Sequence, residues 1–356
     1  MAYATPSMGM ERVAIRLMNE LCRERPVRLT TFRGTRPLEL DPRVEFEVCS
    51  ARGWKSWYRG ICAFRRMRRS DIAILVGVWV AVPCLLARPF SSRSSVLVWE
   101  HSLIREKVAT APKLRLLSYF ARFLYPLARE VVAVSGVTQS DVLRLSPKSR
   151  VTSIPNLIKF DPELVATECR QSAAWRNLVV VSALTRTKGV VDVLSALTLL
   201  GDKYRLTIVG DGPERQELEK FAESQGISAL VRFAGRVDGP AVVSELSASD
   251  LLVHPSAGET FGMVYFEAAE ANVPVLSRRS RVAEEFIPSL VPGETYDGDA
   301  SDLARAIQAF DFARAVDMST ESRRQRRSVL SEIGILEKWN ALFEDLVGSS
   351  GGRSCL

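Results

Sequence analysis

The chain is poor in the residues that build metal sites and disulfide frameworks. Only two histidines, His101 and His254, occur in 356 residues. The six cysteines, at positions 22, 49, 62, 84, 169 and 355, form no C-x-x-C pair. A Cys/His zinc site is therefore not expected. Scattered single cysteines in a chain this long read as reduced thiols of a cytoplasmic protein. A secretory leader is not expected either, because Glu11 and Arg12 interrupt the first apolar stretch. Long hydrophobic runs are lacking too. The run Ile72 to Ala87 is bounded by Asp71 and Arg88 and contains Pro83. It falls short of the about 20 residues that span a bilayer, and reads as a buried strand, Ile72 to Gly77, followed by a short helix. Aromatics make up only 8% but are spread along the chain, so no long disordered arm is expected. Acids are in deficit, 41 against 48 Lys and Arg, for a net charge of +7. That balance suits an anionic partner: a nucleotide, a nucleic acid or an acidic lipid.

What is present is ordinary globular composition, at a length that favours two domains over one core. Short Val- and Ile-rich runs alternate with helical patterns. They are Val27–Phe32, Val44–Cys49, Ile72–Gly77, Ser95–Trp99, Val131–Val134 and Val151–Ile154, then Leu178–Ser182, Arg205–Val209, Val231–Ala234, Leu251–His254 and Pro274–Ser277. Nearly all-apolar runs of this length are strands buried on both faces of a parallel sheet. The helices between them make βαβ units. The expected class is α/β, with two Rossmann-like βαβ domains. Expected boundaries are 1–160 and 161–325, then a C-terminal helix at 326–348 and a frayed Gly/Ser tail from 349.

Three segments carry chemistry. Arg205 to Glu217 reads strand, then Gly210-Asp211-Gly212-Pro213, then a charged helix with Pro213 at its first position. Arg215 stands where a dinucleotide fingerprint needs its third glycine, so a plain strand–turn–helix junction is the expectation. In Thr185-Arg186-Thr187-Lys188-Gly189, two cations precede a helix from Val190, a geometry that suits an anion. The third segment, Pro255 to Pro274, puts Glu259 in a loop after a strand and Glu267 on a helix starting near Met263. Gly262 allows close backbone approach. The free N–H groups of Gly262, Met263 and Val264 suit a diphosphate, and carboxylates suit sugar hydroxyls.

The order of these segments resembles the family-four retaining GT-B glycosyltransferases, which implies two Rossmann-like βαβ domains facing a cleft, with the helix at 326–348 packing back on the first domain. Gly9-Met10-Glu11-Arg12 is similar to the family's N-terminal glycine loop and first helix, and Trp99-Glu100-His101 to its histidine loop. Val132-Ala133-Val134-Ser135 and Ile154-Pro155-Asn156 resemble the end of the acceptor domain. Lys188-Gly189, Gly210-Asp211-Gly212-Pro213 and the Glu259…Glu267 pair resemble the donor domain. The resemblance implies transfer of a sugar from a UDP-sugar or GDP-sugar to a glycan, lipid-linked or small-molecule acceptor, with retention and with no metal or other cofactor. It implies that Lys188 holds the diphosphate, with Arg186 beside it. Glu259 binds sugar hydroxyls, Phe261 to Val264 give backbone contacts, and Glu267 binds ribose. Val237 lies near the base, His101 contacts the sugar, and Gly9 lines the diphosphate or acceptor side.

The sequence departs from that pattern at Ala183, where the family usually has Arg, and at Met8, Asn272 and Arg281-Val282, where glycines are frequent. Arg278, Arg279 and Arg281 add positive charge near the expected site. Asp297-Gly298-Asp299 is formally a D-x-D, read here as turn and cap. Two rival readings stand beside the enzyme: a glycosyltransferase-like partner subunit that has lost activity, and a nucleic-acid binder using the basic aromatic stretch Trp54 to Arg69. No nucleic-acid fold motif accompanies that stretch, so no nucleic-acid partner is expected. Lys113 to Leu127 reads as a basic amphipathic helix, apolar at Leu117, Phe120, Phe123, Leu124 and Leu127. Its face either packs into the core or docks on an anionic membrane, the inner face of the cell membrane for a cytoplasmic protein.

Overall fold

The computed structural model describes residues 9–31, 34–49, 54–68, 71–87, 95–108, 112–158, 175–256 and 258–351. The chain forms two compact units, residues 1–157 with 332–356, and residues 158–331.

In the first unit, α1 (Gly9–Leu21) leads to β1 (Arg28–Thr31) and β2 (Glu45–Val48), a parallel pair. Then come α2 (Trp54–Arg65), β3 (Ile72–Val76), α3 (Val78–Leu86), β4 (Ser95–Glu100), α4 (Ile104–Val108), α5 (Pro112–Leu124), β5 (Glu130–Ala133), α6 (Gly136–Leu145) and β6 (Val151–Ser153). Strands β3 to β6 make a four-stranded parallel sheet in chain order. Val96 to Trp99 and Val131 to Ala133 are buried on both faces, which is why these strands read as unbroken apolar runs. The 72–87 run divides at Gly77, whose φ of 76° turns the chain from β3 into α3. No described helix is long and apolar enough to cross a membrane.

The second unit contains β7 (Arg176–Val181), α7 (Val190–Leu200), β8 (Tyr204–Val209), α8 (Arg215–Ser224), β9 (Val231–Gly235), α9 (Gly239–Ser247), β10 (Leu251–His254), α10 (Met263–Glu270), β11 (Val275–Arg278), α11 (Arg281–Phe286), β12 (Gly293–Tyr296), α12 (Ala300–Ala309) and α13 (Phe312–Val329). Its six parallel strands lie in the order β12-β11-β10-β7-β8-β9. Helices α7, α8 and α12 share a core on one face of the sheet, around Leu178, Val180, Ile208 and Val253. Pro213 does not open α8: that helix begins at Arg215 with Glu214 as its N-cap.

The last helix, α14 (Glu332–Gly351), belongs to the first unit. Trp339 packs edge-on against Trp99 at 5.3 Å, and Arg25 donates to Asn340 Oδ1 at 2.7 Å. The helix expected at 326–348 is thus really two. Residue 326 lies in α13, because the buried Arg326 is bound inside the second unit. It donates to Glu270 Oε1 at 2.9 and 2.6 Å and to the Leu290 carbonyl at 2.8 Å. The expected tail is helical as far as Gly351, and residues 352–356 lie outside the described residues.

Candidate active site

In the second unit β7 comes first in the chain. The strands that follow build outward to one side (β8, β9) and then to the other (β10, β11, β12). The switch point lies between β7 and β10. In open parallel sheets, ligands bind outside the carboxyl ends of the strands at that point. The loops leaving these two strands carry Lys188 and Glu259. A one-turn 3-10 segment, Arg186–Lys188, ends at Gly189, which is left-handed at φ 65°. A Cβ there would press on the Pro255 carbonyl at 3.2 Å, so the two loops pack against each other.

That packing joins three side chains. Lys188 Nζ pairs with Glu259 Oε1, and His254 Nε2 lies 3.2 Å from the same oxygen. His254 is buried at the end of β10, edge-on to Tyr265 at 5.0 Å. The Tyr265 hydroxyl is 2.8 Å from Ser277 Oγ. Burial alone pushes the Glu259 carboxyl up, but the His254 hydrogen bond and the charges of His254 and Lys188 outweigh it and hold the group at about 2. Glu259 is thus an ionised, acceptor-only group at neutral pH. Both contacts converge on Oε1; among the described residues Oε2 takes no partner.

Beside this cluster α10 begins. Its N-cap Gly262 is left-handed at φ 70° and ψ 54°. A Cβ there would meet the Tyr265 ring at 2.5 Å, so glycine is required both by conformation and by space. Phe261 is buried, with its ring 5.0 Å from Phe266 and 5.2 Å from Phe286, and so offers a ligand only its backbone. Met263 and Val264 open the helix, whose first amides favour an anion. Glu267 is half-buried one turn further along α10.

The remaining expected residues fall as follows. Arg186 is exposed, and so is Ala183 just past β7. Val237 is half-buried between β9 and Asp238, which caps α9 by accepting from the Ala241 N–H at 3.0 Å. The Gly210 turn is a junction, as its sequence suggests. A Cβ at Gly210 or Gly212 would strike the backbone of Ser182 or Leu184, and Leu184 N–H donates to the Asp211 carbonyl at 3.1 Å. Arg278 and Arg279 do not add bare charge. Arg278 pairs with Asp192 at 3.3 Å, and Arg279 with Asp297 at 2.7 Å and Glu284 at 3.4 Å. Asp299 caps α12 in a capping box with Asp302. Among the described residues, no group of three or more His, Cys, Asp or Glu side chains is placed to hold a metal ion.

His101 and Gly9 belong to the first unit. His101 follows β4 and is 7% exposed, with its ring 4.5 Å from Trp99; burial lowers its pKa to about 3, and Nε2 has no partner among the described residues. The turn that carries it is pinned by the buried Glu100, which accepts from the Tyr125 hydroxyl at 2.6 Å and from the Ser102 N–H at 2.8 Å. Gly9 opens α1, and Met8 lies outside the described residues. The sequence reading missed His254. It stood in plain view as the last residue of an apolar strand, five positions before Glu259, but was read only as the end of that strand.

Two parallel Rossmann-like units, one with a charged cluster at its switch point, define an α/β nucleotide-binding class of fold. Known proteins narrow that class. A family model for group 1 glycosyl transferases matches residues 176–311, and one for glycosyltransferase family 4 matches residues 8–161. The chain belongs to this family of glycosyltransferases, with the GT-B fold. It is 30% identical over 177 residues to the gpi3 subunit of phosphatidylinositol N-acetylglucosaminyltransferase from Schizosaccharomyces pombe, covering 47% of this chain and 38% of that one. It is 29% identical over 230 residues to the lipopolysaccharide core biosynthesis glycosyltransferase LpsD of Rhizobium meliloti, covering 62% of this chain and 65% of that one. The chain thus spans between about a third and two thirds of the length of these relatives. Among solved structures, Anabaena HepE in complex with UDP and glucose superposes with a TM-score of 0.79 at 19% identity, over 97% of this chain and 98% of that one. Sucrose-phosphate synthase from Thermosynechococcus elongatus gives 0.82 at 19% identity, over 98% and 96%.

Proposed function

We propose that the chain transfers a sugar from a nucleoside-diphosphate sugar, UDP- or GDP-linked, to a glycan or lipid-linked acceptor with retention of anomeric configuration. The observation that carries this reading is the Lys188–Glu259–His254 cluster at the switch point between β7 and β10, beside the start of α10. As the bond from the anomeric carbon to the diphosphate breaks, charge develops on the leaving group and the sugar becomes oxocarbenium-like. Lys188, aided by Arg186 and the amides at 262–264, stabilises that leaving group without a metal. Glu259 Oε2 accepts sugar hydroxyls, Glu267 accepts from the ribose, and Val237 flanks the base. His101, kept neutral by burial, hydrogen-bonds the sugar rather than serving as a cation, and Gly9 lines the diphosphate or acceptor side. The UDP and UDP-glucose complexes of HepE support a nucleotide-sugar donor. The names of the phosphatidylinositol and lipopolysaccharide-core relatives support a lipid-linked acceptor, and with it a cytoplasmic protein working at the inner face of the cell membrane.

A screen of the purified chain against a panel of nucleotide sugars, read by thermal shift and by diphosphate release, tests this. One donor should raise the melting temperature and release diphosphate in the wild type, and Lys188→Ala should suppress both. No shift with any donor would overturn the reading. Ala183 favours a second reading, a partner subunit that binds donor without turning it over, and a thermal shift with no diphosphate release would select it.

A further inference from the structure

His101 sits just past a strand that is anchored on both of its faces. Side chains alternate along β4. Val96 and Val98 face the core shared with α3 and α5, around Val82, Leu85 and Ala121. Glu100, two residues on, follows the same face. Trp99 lies on the opposite face and meets α14 there.

On the first face the anchor is polar. Glu100 is fully buried. Its Oε1 accepts the Ser102 N–H at 2.8 Å, and its Oε2 accepts the Tyr125 hydroxyl at 2.6 Å. The bond from residue 100 to the N–H of residue 102 closes the chain around His101, which thus forms the apex of the turn. Tyr125 opens a one-turn 3-10 segment after α5, Tyr125–Leu127, and is itself fully buried. Burial and the neighbouring Glu100 push its hydroxyl well above the ordinary value, so it stays a donor. A short bond from a hydroxyl to a carboxylate is among the stronger hydrogen bonds.

On the second face the anchor is apolar. Trp99 is buried and its Nε1 has no hydrogen-bond partner among the described residues, so packing fixes its ring. Trp339 of α14 stands edge-on to it at 5.3 Å, and the His101 ring lies 4.5 Å from it. Trp339 is buried in turn, with its ring 5.7 Å from Phe343, which Arg25 covers at 4.9 Å. The imidazole therefore rests on an indole that α14 wedges in place. No hydrogen bond from the described residues aims His101 Nε2.

We infer that Tyr125 and Trp339 are positioning residues for His101. The phenol acts through Glu100 on the backbone of the turn, and the indole acts through Trp99 on the imidazole ring, so that Nε2 is presented to the sugar. The inference rests on the sugar contact proposed above for His101.

The chain has only two histidines, so an NMR spectrum of the full chain with isotope-labelled histidine shows two ring environments, and His101→Ala assigns them. Tyr125→Phe removes one hydroxyl and keeps its ring; Trp339→Phe keeps an aromatic ring of smaller size. The two substitutions lie on different faces, so each tests its own anchor. Both variants should unfold cooperatively and bind UDP as the wild type does. The His101 signal should broaden or split in each, while that of His254 stays in place. UDP release from UDP-glucose should fall about tenfold or more, since a misplacement of about 1 Å can cost roughly 100-fold. In the His101→Ala background neither substitution should cost anything further, because its effect runs through a side chain that is gone. An unchanged His101 signal would overturn the inference. So would wild-type turnover in the single variants where His101→Ala has lost it, or the same loss repeated in the His101→Ala background. Wild-type turnover in His101→Ala would remove the sugar contact itself, and the inference with it.

Discussion

Replacing Glu259 by Gln keeps the side chain's shape and removes the charge that Lys188 and His254 share. The carboxyl group's ordinary value is 4.5, and the folded protein holds it at about 2. A depressed value means that the ionised group contributes stability above the ordinary value, and that this contribution is lost as pH falls toward the lower one. One pKa unit corresponds to roughly 1.4 kcal/mol. Between about pH 6 and about pH 3.5, the wild type should therefore lose on the order of 1 kcal/mol that the variant does not lose. Other acids titrate in the same window, but they do so in both proteins and cancel in the difference. At neutral pH the variant should start lower by about 1–3 kcal/mol, because the half-buried Lys188 loses a charged acceptor. Urea unfolding of both proteins at the two pH values, followed by circular dichroism, measures this. Parallel loss of stability in both proteins would refute the reasoning, since Glu259 would then carry no perturbed proton. Turnover should fall strongly with only a modest loss of nucleotide affinity, because the carboxylate's partner is the sugar.

Lys188→Ala should weaken binding of a nucleoside diphosphate by about tenfold or more, and Arg186→Ala should do so too if the exposed arginine replaces a cation absent at Ala183; calorimetry with UDP and GDP reads both, and unchanged affinity in Arg186→Ala rejects the replacement. Glu267→Ala should also weaken binding of the free nucleoside diphosphate, in contrast to Glu259→Gln, and equal behaviour of the two variants would undo the division between sugar and ribose. Gly262→Ala should destabilise the second unit, since the new Cβ would meet the Tyr265 ring at 2.5 Å in a left-handed conformation; a cost of roughly 1–3 kcal/mol is expected and would show in thermal unfolding. Arg326→Ala takes from the buried Glu270 its nearer partner and leaves it Arg327, 3.8 Å from Oε2, so a loss of about 3 kcal/mol is expected, and a melting temperature near the wild type's would show that α13 does not depend on the Arg326 pair.

The strands were legible because most are buried on both faces. Leu178, Val180, Leu251 and Val253 leave no polar position to blur the pattern. Strand β12 was missed for the opposite reason. It lies at the sheet edge and reads Gly-Glu-Thr-Tyr, with Glu294 exposed, so neither an apolar run nor clean alternation marks it. The C-terminal helix was placed six residues early, because an arginine-rich stretch looks solvated until Glu270, fifty-six positions away, is seen to bury Arg326. Helix α5 was legible as amphipathic but not as two-faced. Its periodicity marks Leu117, Phe120, Phe123, Leu124 and Leu127 as one face, and only packing shows that Leu117, Phe120 and Leu124 are spent on the core while Phe123 and Leu127 stay outside with Leu116 and Tyr119. At the site, residue types and spacing mark Glu259, Glu267 and Lys188 as candidates, and the structure pairs Lys188 with Glu259. The direct Lys188–Glu259 pair was not legible, because it depends on two loops seventy-one residues apart packing at Gly189 and Pro255.

The proposed diphosphate site depends on how the cations of the second unit are partitioned. A basic sequence does not by itself make an anion site, and here most of the arginines near the strand ends are already matched. Arg278 is held by Asp192 and by the Gly298 carbonyl at 2.8 Å, Arg279 by Asp297 and Glu284, and Arg215 by Glu219 at 2.8 Å. These pairs fix the loops around β8, β11 and β12. Lys188 differs in kind, because its partner Glu259 is itself proposed to bind the donor. An arriving diphosphate can take over Lys188 while sugar hydroxyls take over Glu259, so both charges keep partners when the pair opens. His254, buried against Tyr265, lies 3.2 Å from the same carboxylate oxygen. It is placed to remain the partner of Glu259 when Lys188 turns to the phosphate. On this argument His254→Phe, which preserves the ring packing but removes the hydrogen bond, should impair sugar-dependent turnover more than it impairs affinity for the free nucleoside diphosphate.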